Sequence, residues 1–319
     1  MKHLIFGIGS IGGRHLNNLF RLGINKEDIF CFRRCEDHAF EKEFGVKILT
    51  KKEQIISLFP ECVYICTPTS LHVRDLNIAN ELNAHVFMEK PLIHEKRLYD
   101  EIKNMNYTDK VFYIGYMLRF HPLFIKLQNI MKNKIIGSVY SARLEFGFYL
   151  PYWHPWEDYK ISYAARKELG GGVFNTITHE LDMAQLLFGE PLKVLSSQMN
   201  LKKLNIDVAE IGEVILEYPD KQVSIHVDFL QRKYNRTVTI YGDDGNVVWN
   251  WNDKMVIVNL YNGERKEIKC DDYDINDMYY QEIKKFHELI DQSVYKHALD
   301  FQYALKNTEL LFNINKYHI

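Results

Sequence analysis

The sequence lacks the features that mark membrane, disordered and nucleic-acid-binding proteins. No run of apolar residues approaches the ~18 that a transmembrane helix needs. The 319 residues include only 17 glycines and 8 prolines, too few for a low-complexity chain. Lys and Arg (40) nearly balance Asp and Glu (42), so the net charge of −2 gives no bulk attraction for nucleic acid. We therefore predict a globular protein with no membrane and no nucleic acid as a partner.

Cysteine and targeting signals are also scarce. The five cysteines are odd in number, and the Cys31/Cys35 and Cys62/Cys66 spacings have no matching Cys or His pair that would complete a zinc site. We expect reduced thiols and no metal. The N-terminus has neither the long apolar stretch nor the cleavage site of a signal peptide, so a cytoplasmic location is expected.

The length and the pattern of apolar residues predict two α/β domains. Residues 1–118 alternate short apolar runs with helical stretches, which indicates a parallel sheet with right-handed crossovers. The strands are predicted at Leu4–Gly7, Ile29–Phe32, Val63–Cys66, Val86–Met88 and Val111–Ile114. The helices are predicted at Gly12–Leu22, Asp37–Phe44, Lys51–Leu58, Ser70–Leu82 and Glu95–Asn104.

Residues 119–297 follow a different pattern, typical of a largely antiparallel sheet. Helices at Pro122–Lys132 and Phe174–Phe188 bracket an aromatic loop region, and helices at Asn276–Ile290 and Ala298–Asn315 end the chain. The strands are predicted at Lys193–Met199, Glu213–Tyr218, Gln222–Phe229, Thr237–Tyr241, Asn246–Trp251, Met255–Asn259 and Lys266–Cys270.

A glycine-rich motif, Gly7-Ile8-Gly9-Ser10-Ile11-Gly12, follows the first predicted strand and opens a helix. Gly7 permits the tight turn, Gly9 lets a pyrophosphate approach the backbone, and Gly12 allows close packing of helix on strand. The free N–H groups at the start of the helix, from Ser10 and Ile11 onward, favour phosphate. The motif predicts a dinucleotide site, although a plain glycine-rich turn has the same composition.

The second predicted strand is followed by Arg33 and Arg34 rather than by the acid that binds the ribose diol of NAD. Two guanidinium groups suit the 2′-phosphate of NADP, so NADP is favoured over NAD. The alternative is a pair of solvated surface arginines.

Motifs along most of the chain resemble the Gfo/Idh/MocA family of glucose–fructose and inositol-type oxidoreductases. They are the glycine motif with His15, Cys66-Thr67-Pro68-Thr69-Ser70-Leu71-His72, Glu89-Lys90-Pro91-Leu92, Gly115–Phe120, Gly170-Gly171-Gly172 and His179-Glu180-Leu181-Asp182. The resemblance implies a Rossmann domain, then an α/β domain whose open sheet forms a homodimer or homotetramer, and a final helix (298–315) that returns to the first domain. It also implies a sugar substrate between the domains, over the nicotinamide.

The resemblance assigns catalytic roles to Lys90 and His179. Lys90 contacts the reacting hydroxyl, where an ammonium stabilises a developing alkoxide, and Pro91 restricts its backbone. His179 is the general acid/base and shares a predicted helix face with Asn175 and Asp182. The family commonly carries an acid where Asn175 stands, and an amide cannot accept a proton. The alternatives are a solvated lysine before a turn, and a helix histidine that is hydrogen-bonded to Asp182 or to a backbone carbonyl.

Further residues are candidates for binding. Thr67, Pro68, His72 and Glu89 flank the expected coenzyme site, although His72 fits a helix surface equally well. The segment Tyr149–Trp156 is aromatic, and sugars stack on flat apolar rings. We expect basic, aromatic and polar side chains to bind an anionic or nucleotide-linked sugar. The alternative is that these side chains form a dimer contact or pack within the loop. These are Arg119, Trp153, His154, Lys160, Tyr163, Arg166, Asn175 and His179.

The sequence therefore predicts an NAD(P)-dependent oxidoreductase of carbohydrate metabolism that interconverts a secondary hydroxyl and a ketone. Two alternatives stay open at this point. Asn175 favours a non-catalytic protein that senses dinucleotide or sugar, and some relatives cleave glycosides through transient oxidation by tightly held NAD.

Overall fold

The computed structural model describes residues 1–315, and these fall into two compact units. The first unit combines Met1–Met117 with Ile275–Thr308, and the second combines Leu118–Asp274 with the chain from Glu309 on. The expected boundary at residue 297 is wrong for residues 275–297, because they pack with the first unit. Arg21 pairs with Asp277, and the Tyr64 hydroxyl lies 2.8 Å from His287 Nε2. Among residues 1–315 we find no helix with the length and hydropathy to cross a membrane.

In the first unit the described residues form one sheet of six parallel strands. The order is β3-β2-β1-β4-β5-β6. From β1 the chain adds strands first on one side of the sheet (β2, β3) and then, starting with β4, on the other side. Strands β1, β4 and β6 are buried throughout, as expected for a sheet covered on both faces. The strands are β1 His3–Phe6, β2 Ile29–Phe32, β3 Lys47–Leu49, β4 Cys62–Ile65, β5 His85–Glu89 and β6 Phe112–Gly115.

Strand β3 was not predicted. It has three residues, and Ile48 is the only buried one, so it carries too little hydrophobic signal to be recognised. The helices of this unit lie close to their predicted bounds. They are α1 Ser10–Arg21, α2 His38–Phe44, α3 Lys52–Leu58, α4 His72–Glu81, α5 Lys96–Ile102, α9 Ile275–Asp291 and the first half of α10 Phe301–Asn315.

The second unit contains an eight-stranded sheet in the described chain, in the order β14-β13-β12-β11-β7-β10-β9-β8. All pairings are antiparallel except that of β7 with β10. Helix α6 Pro122–Lys132 belongs to the same unit. The strands are β7 Val139–Gly147, β8 Lys193–Met199, β9 Ile211–Glu217, β10 Gln222–Asp228, β11 Asn235–Gly242, β12 Gly245–Asn250, β13 Met255–Leu260 and β14 Arg265–Lys269.

The central strand β7 was also missed. Its buried side chains, Ala142, Leu144 and Phe146, alternate with the polar side chains of Arg143 and Glu145. This alternation is the pattern of a strand with one buried face. Because an aromatic segment follows β7, the whole region was predicted to be a loop. The fold class, a parallel Rossmann sheet followed by a largely antiparallel one, is confirmed.

The predicted helix Phe174–Phe188 is broken in the structure. Helix α7 spans Val173–Thr176 and α8 spans His179–Phe188. The break falls at Ile177 and Thr178, within a run of three β-branched residues that lose side-chain freedom in a helix. Asn175, His179 and Asp182 therefore do not share one helix face, and that prediction is wrong.

Candidate active site

The glycine-rich turn lies between β1 and α1 and fits a dinucleotide. Gly7 has φ +82°, and a Cβ there would lie 2.9 Å from the Cys66 carbonyl oxygen. A Cβ on Gly12 would lie 1.9 Å from the Gly7 oxygen, so both positions require glycine. A Cβ on Gly9 would meet no atom of the described chain within 4 Å, and Gly9 caps α1 without a side-chain hydrogen bond. This leaves room for a pyrophosphate over the N–H groups of Ser10 and Ile11.

The loop after β4 meets this turn. Because the strand order reverses between β1 and β4, a crevice opens beyond their carboxyl ends, where ligands bind in such sheets. Thr67 and Pro68 follow β4, and the Cα of Thr67 would lie 3.0 Å from a Cβ on Gly7. The Thr67 hydroxyl donates to Asp75 (2.7 Å), and burial raises the pKa of that carboxyl. These contacts fix the loop at the expected coenzyme crevice.

His72 does not lie on the helix surface, which was the alternative to a place beside the coenzyme. It is 1% exposed, and its ring lies between two loops. Nε2 is 2.9 Å from the Thr67 carbonyl oxygen, and Nδ1 is 2.9 Å from that of Pro91. Burial lowers the pKa of His72. The side chain therefore braces the loops that follow β4 and β5, and a direct contact with coenzyme has no support.

Lys90 follows β5 directly, at the same edge of the sheet as Gly7 and Thr67. Its side chain is partly exposed, and the Lys90–Pro91 peptide bond is cis. The neighbouring Glu89 turns its carboxylate to His15 of α1, whose Nε2 donates to Glu89 Oε1 (2.8 Å). Glu89 thus binds a protein side chain, while Lys90 occupies the place predicted for it.

Glu282 of α9 completes a cluster with His15 and Glu89 that sequence reasoning missed. His15 and Glu282 are buried, and Glu89 is 12% exposed. Donor atoms of His15, Glu89 and Glu282 all lie within 4.8 Å of one another. Glu282 is fully buried, and neither of its carboxyl oxygens has a hydrogen-bond partner among the described residues. Burial raises the pKa of Glu282 well above its usual range, and the negative charge of Glu89 adds to this shift. One sequence signal could have shown Glu282 to be buried. It lies on the apolar face of α9, four residues after Met278 and four before Phe286.

The two arginines after β2 have different surroundings. Arg33 pairs with Asp37, and its guanidinium lies 5.8 Å from the centre of the Phe40 ring. A hydrogen bond from the Phe40 N–H holds the pKa of Asp37 below its ordinary value, and Arg33 contributes. Arg34 is exposed, and within residues 1–315 its guanidinium forms no ion pair. Only Arg34 offers an uncompensated positive charge at this strand end.

His179 and Asn175 belong to the second unit. His179 is the first residue of α8 and is partly exposed. The Asn175 amide donates to Gly171 O (3.2 Å) and accepts from Asn315 (3.2 Å), while the Tyr163 hydroxyl donates to the Asn175 carbonyl oxygen (3.3 Å). The Asn175 side chain is therefore held by neighbouring backbone and amide groups.

Arg119 does not present its charge to a ligand. Its Nε and Nη2 donate to the two carboxylate oxygens of Asp182, at 2.9 and 2.7 Å. The side chains are 9% and 1% exposed. A forked pair of this geometry neutralises both charges inside the protein. The structure thus gives Arg119 a structural role and does not support the predicted contact with an anionic substrate.

Three other predicted sugar-binding residues, Trp153, His154 and Arg166, contact neighbouring residues of the chain. The Trp153 indole donates to Phe148 O (3.1 Å) and its ring packs edge-on against Phe229. His154 lies 5.1 Å from Trp156, ring centre to ring centre. Arg166 pairs with Glu168 at the surface. Their roles toward a substrate stay predictions.

Two sequence profiles of one family match most of the chain. Residues 1–114 match the oxidoreductase family with an NAD-binding Rossmann fold, and residues 124–248 match the GFO/IDH/MocA C-terminal domain. An uncharacterized oxidoreductase, YrbE, of Bacillus subtilis is 23% identical over 66% of this chain and 60% of its own length, which is less than two thirds. Myo-inositol 2-dehydrogenase of Thermotoga maritima is 23% identical over 77% of this chain and 74% of its own.

Solved structures share the fold along the whole chain. A levoglucosan dehydrogenase in complex with NADH and levoglucosan superposes with a TM-score of 0.83, covering 99% of this chain and 96% of the other at 18% identity. The match includes both the parallel sheet with its glycine-rich turn and the antiparallel sheet. The chain is a member of the Gfo/Idh/MocA family of NAD(P)-dependent oxidoreductases.

Proposed function

We propose that the protein is an NADP-dependent oxidoreductase that interconverts a secondary hydroxyl and a ketone on a sugar or sugar derivative. The observation that carries the proposal is the placement of Lys90 at the sheet edge that also bears the Gly7–Gly12 turn. Relatives named for inositol and levoglucosan support a polyol or sugar as the substrate class. With Arg119 paired, an anionic or nucleotide-linked sugar has less support than an uncharged one.

The residues of the first unit would hold the coenzyme. The Gly7–Gly12 turn and the start of α1 bind the pyrophosphate, and the loop of Thr67 and Pro68 flanks the crevice. When bound, the nicotinamide supplies or accepts the hydride. The Lys90 ammonium stabilises negative charge on the substrate oxygen, and His179 takes the hydroxyl proton in the oxidative direction.

Parallel fluorescence titrations with NADPH and NADH test the first part of the proposal, on protein first checked for bound dinucleotide. We expect tighter binding of NADPH. A screen of sugars and cyclic polyols with NADP⁺ and NAD⁺ then tests the reaction through the absorbance of the reduced coenzyme. Failure of dinucleotide-free protein to bind either coenzyme would overturn the proposal. Stoichiometric coenzyme that does not exchange would favour the glycoside-cleaving alternative, and binding without any turnover would favour the sensor.

Arg34 sets the preference for NADP in this proposal. Replacing Arg34 by Ala should weaken NADPH binding about tenfold, because one charge-assisted hydrogen bond to the 2′-phosphate is lost. NADH, which lacks that phosphate, should bind within about twofold of the wild-type affinity. The control is Arg265→Ala, an exposed arginine of β14. Equal losses for both coenzymes would exclude Arg34 as a 2′-phosphate ligand.

His179 is the proposed proton acceptor. Replacing His179 by Asn should lower kcat about 100-fold, in the range that general acid–base groups contribute, and should remove the limb of the pH profile that this imidazole causes. The matched control is His38→Asn, whose side chain is exposed on α2. NADPH affinity should stay unchanged in both variants. A His179→Asn enzyme with the wild-type kcat and pH profile would remove His179 from the mechanism.

A further inference from the structure

The cluster of His15, Glu89 and Glu282 places two carboxyl groups beside one imidazole in the first unit, and the positive charge of Lys90 acts on Glu282. Glu89 is 12% exposed and accepts a hydrogen bond from His15 Nε2 (2.8 Å). Glu282 has none: it is fully buried, and both oxygens are unpartnered among residues 1–315. An unpaired charge there would cost several kcal/mol, so the carboxyl group favours its neutral form.

The groups that face Glu282 act in opposite directions. The negative charge of Glu89 disfavours a second carboxylate, and the positive charge of Lys90 favours one. The titratable or charged groups packed around Glu282 are His15 of α1, Cys66 after β4, Glu89 and Lys90 at the end of β5, and Tyr279 of α9, which packs on His15. Burial is the largest contribution, and it acts with Glu89 against ionisation.

We propose that Glu282 carries a proton in the working enzyme and so adds no negative charge beside the Lys90 ammonium. An ionised Glu282 would hold the ammonium and weaken its effect on charge that develops on the substrate oxygen. Glu282 is thus a positioning residue that acts through Lys90. The inference rests on the proposed function only in the role of Lys90, because the protonation of Glu282 is a property of the unliganded protein. Because His15 Nε2 is already engaged by Glu89 Oε1, we assign the cluster a proton rather than a metal ion.

Urea unfolding from pH 5 to 8 tests the protonation, with full-length wild type and Glu282→Gln followed by circular dichroism. A raised pKa in the folded state means that stability is lost as pH rises above the ordinary value for glutamate. The unfolding equilibrium constant of wild type relative to the variant should therefore rise about tenfold per pH unit. The exposed Glu288→Gln on the same helix should show no such trend. A difference that stays constant over this range would overturn the proposal.

A second measurement needs no variant. Infrared spectra of the wild type at neutral pH should show the carbonyl stretch of a protonated carboxyl group that is shielded from exchange. Its absence would overturn the proposal even if Glu282→Gln fails to fold. All samples are first dialysed against EDTA, and the free energy of unfolding is measured before and after dialysis. A change in the wild type that is absent from Glu282→Gln would mean that a metal ion, and not a proton, neutralises the carboxylates. That result would overturn the proposal.

The effect on Lys90 is measured by the rate at which an amine-acylating reagent labels it, read by mass spectrometry. At pH 7 wild type and Glu282→Gln should label Lys90 at rates within about twofold, because both carry a neutral side chain at position 282. Much slower labelling of the wild type would show an ionised Glu282 beside the ammonium and overturn the proposal. These results do not depend on coenzyme binding or turnover, so failure of the proposed function is recognised separately.

Discussion

Replacing Lys90 by methionine should lower kcat by about 100- to 1,000-fold, the range seen when one group that stabilises an oxyanion is removed. Methionine keeps the length and much of the apolar stem but has no charge to place near the substrate oxygen. NADPH affinity should change less than about twofold, because the Gly7–Gly12 turn, and not Lys90, is the proposed pyrophosphate site. Steady-state kinetics with the sugar found by screening, together with a fluorescence titration, measures both quantities.

The control for this variant is Lys96→Met, an exposed lysine at the start of α5 in the same unit. Its kcat should equal that of the wild type. A Lys90→Met enzyme that keeps more than about a tenth of the wild-type kcat would exclude Lys90 as the group that stabilises the oxygen. Loss of NADPH binding together with kcat would instead assign Lys90 to the coenzyme.

Replacing Asp182 by alanine should destabilise the second unit by about 3–5 kcal/mol, because it leaves the Arg119 guanidinium buried without its partner. All four tryptophans of the chain lie in this unit, so urea unfolding followed by tryptophan fluorescence reports on it directly. The double variant Arg119→Met, Asp182→Leu should recover most of the lost free energy of unfolding, since two apolar side chains leave no buried charge.

An exposed pair in the same unit provides the comparison. Glu267→Ala breaks the contact of Glu267 with Arg265, whose side chains are 40% and 57% exposed, and should leave the free energy of unfolding almost unchanged. If Asp182→Ala cost equally little, the pair of Arg119 and Asp182 would not be a buried structural contact. Arg119 would then return to the candidates for binding an anionic sugar.

The parts of the fold that follow from local sequence were predictable. The Gly7–Gly12 motif between a strand and a helix, and the alternation of apolar runs with helical stretches, predicted five of the six strands of the first sheet within a few residues. Strand β7 was missed although its alternating pattern is clear, because the aromatic segment after it dominated the interpretation. The break between α7 and α8 depends on three β-branched residues whose effect competes with a helical pattern on both sides.

The roles of charged and polar side chains were less predictable, because their partners are distant in sequence. Arg119 meets Asp182 after 63 residues, and His72 reaches the Pro91 carbonyl after 19. A motif indicates which residue types are present but not which group neutralises them. Glu282 was missed because its neighbours His15 and Glu89 are also distant in sequence, near the other end of the chain. The assignments of Lys90, His179 and the coenzyme-binding loops stay predictions that the proposed variants test.

The first unit is assembled from both ends of the chain, and this has a consequence for synthesis on the ribosome. Residues 1–117 emerge first, yet α9, which carries Glu282 and packs on α1, begins only at residue 275. At about 5–20 residues per second, the nascent Rossmann sheet waits roughly 8 to 30 seconds with the His15 face of α1 uncovered. The second unit, whose strands lie within residues 139–269, has left the ribosome before that wait ends. The first unit is therefore completed only late in translation, and a messenger truncated before α9 would yield a chain with an exposed apolar surface for chaperones and proteases to detect.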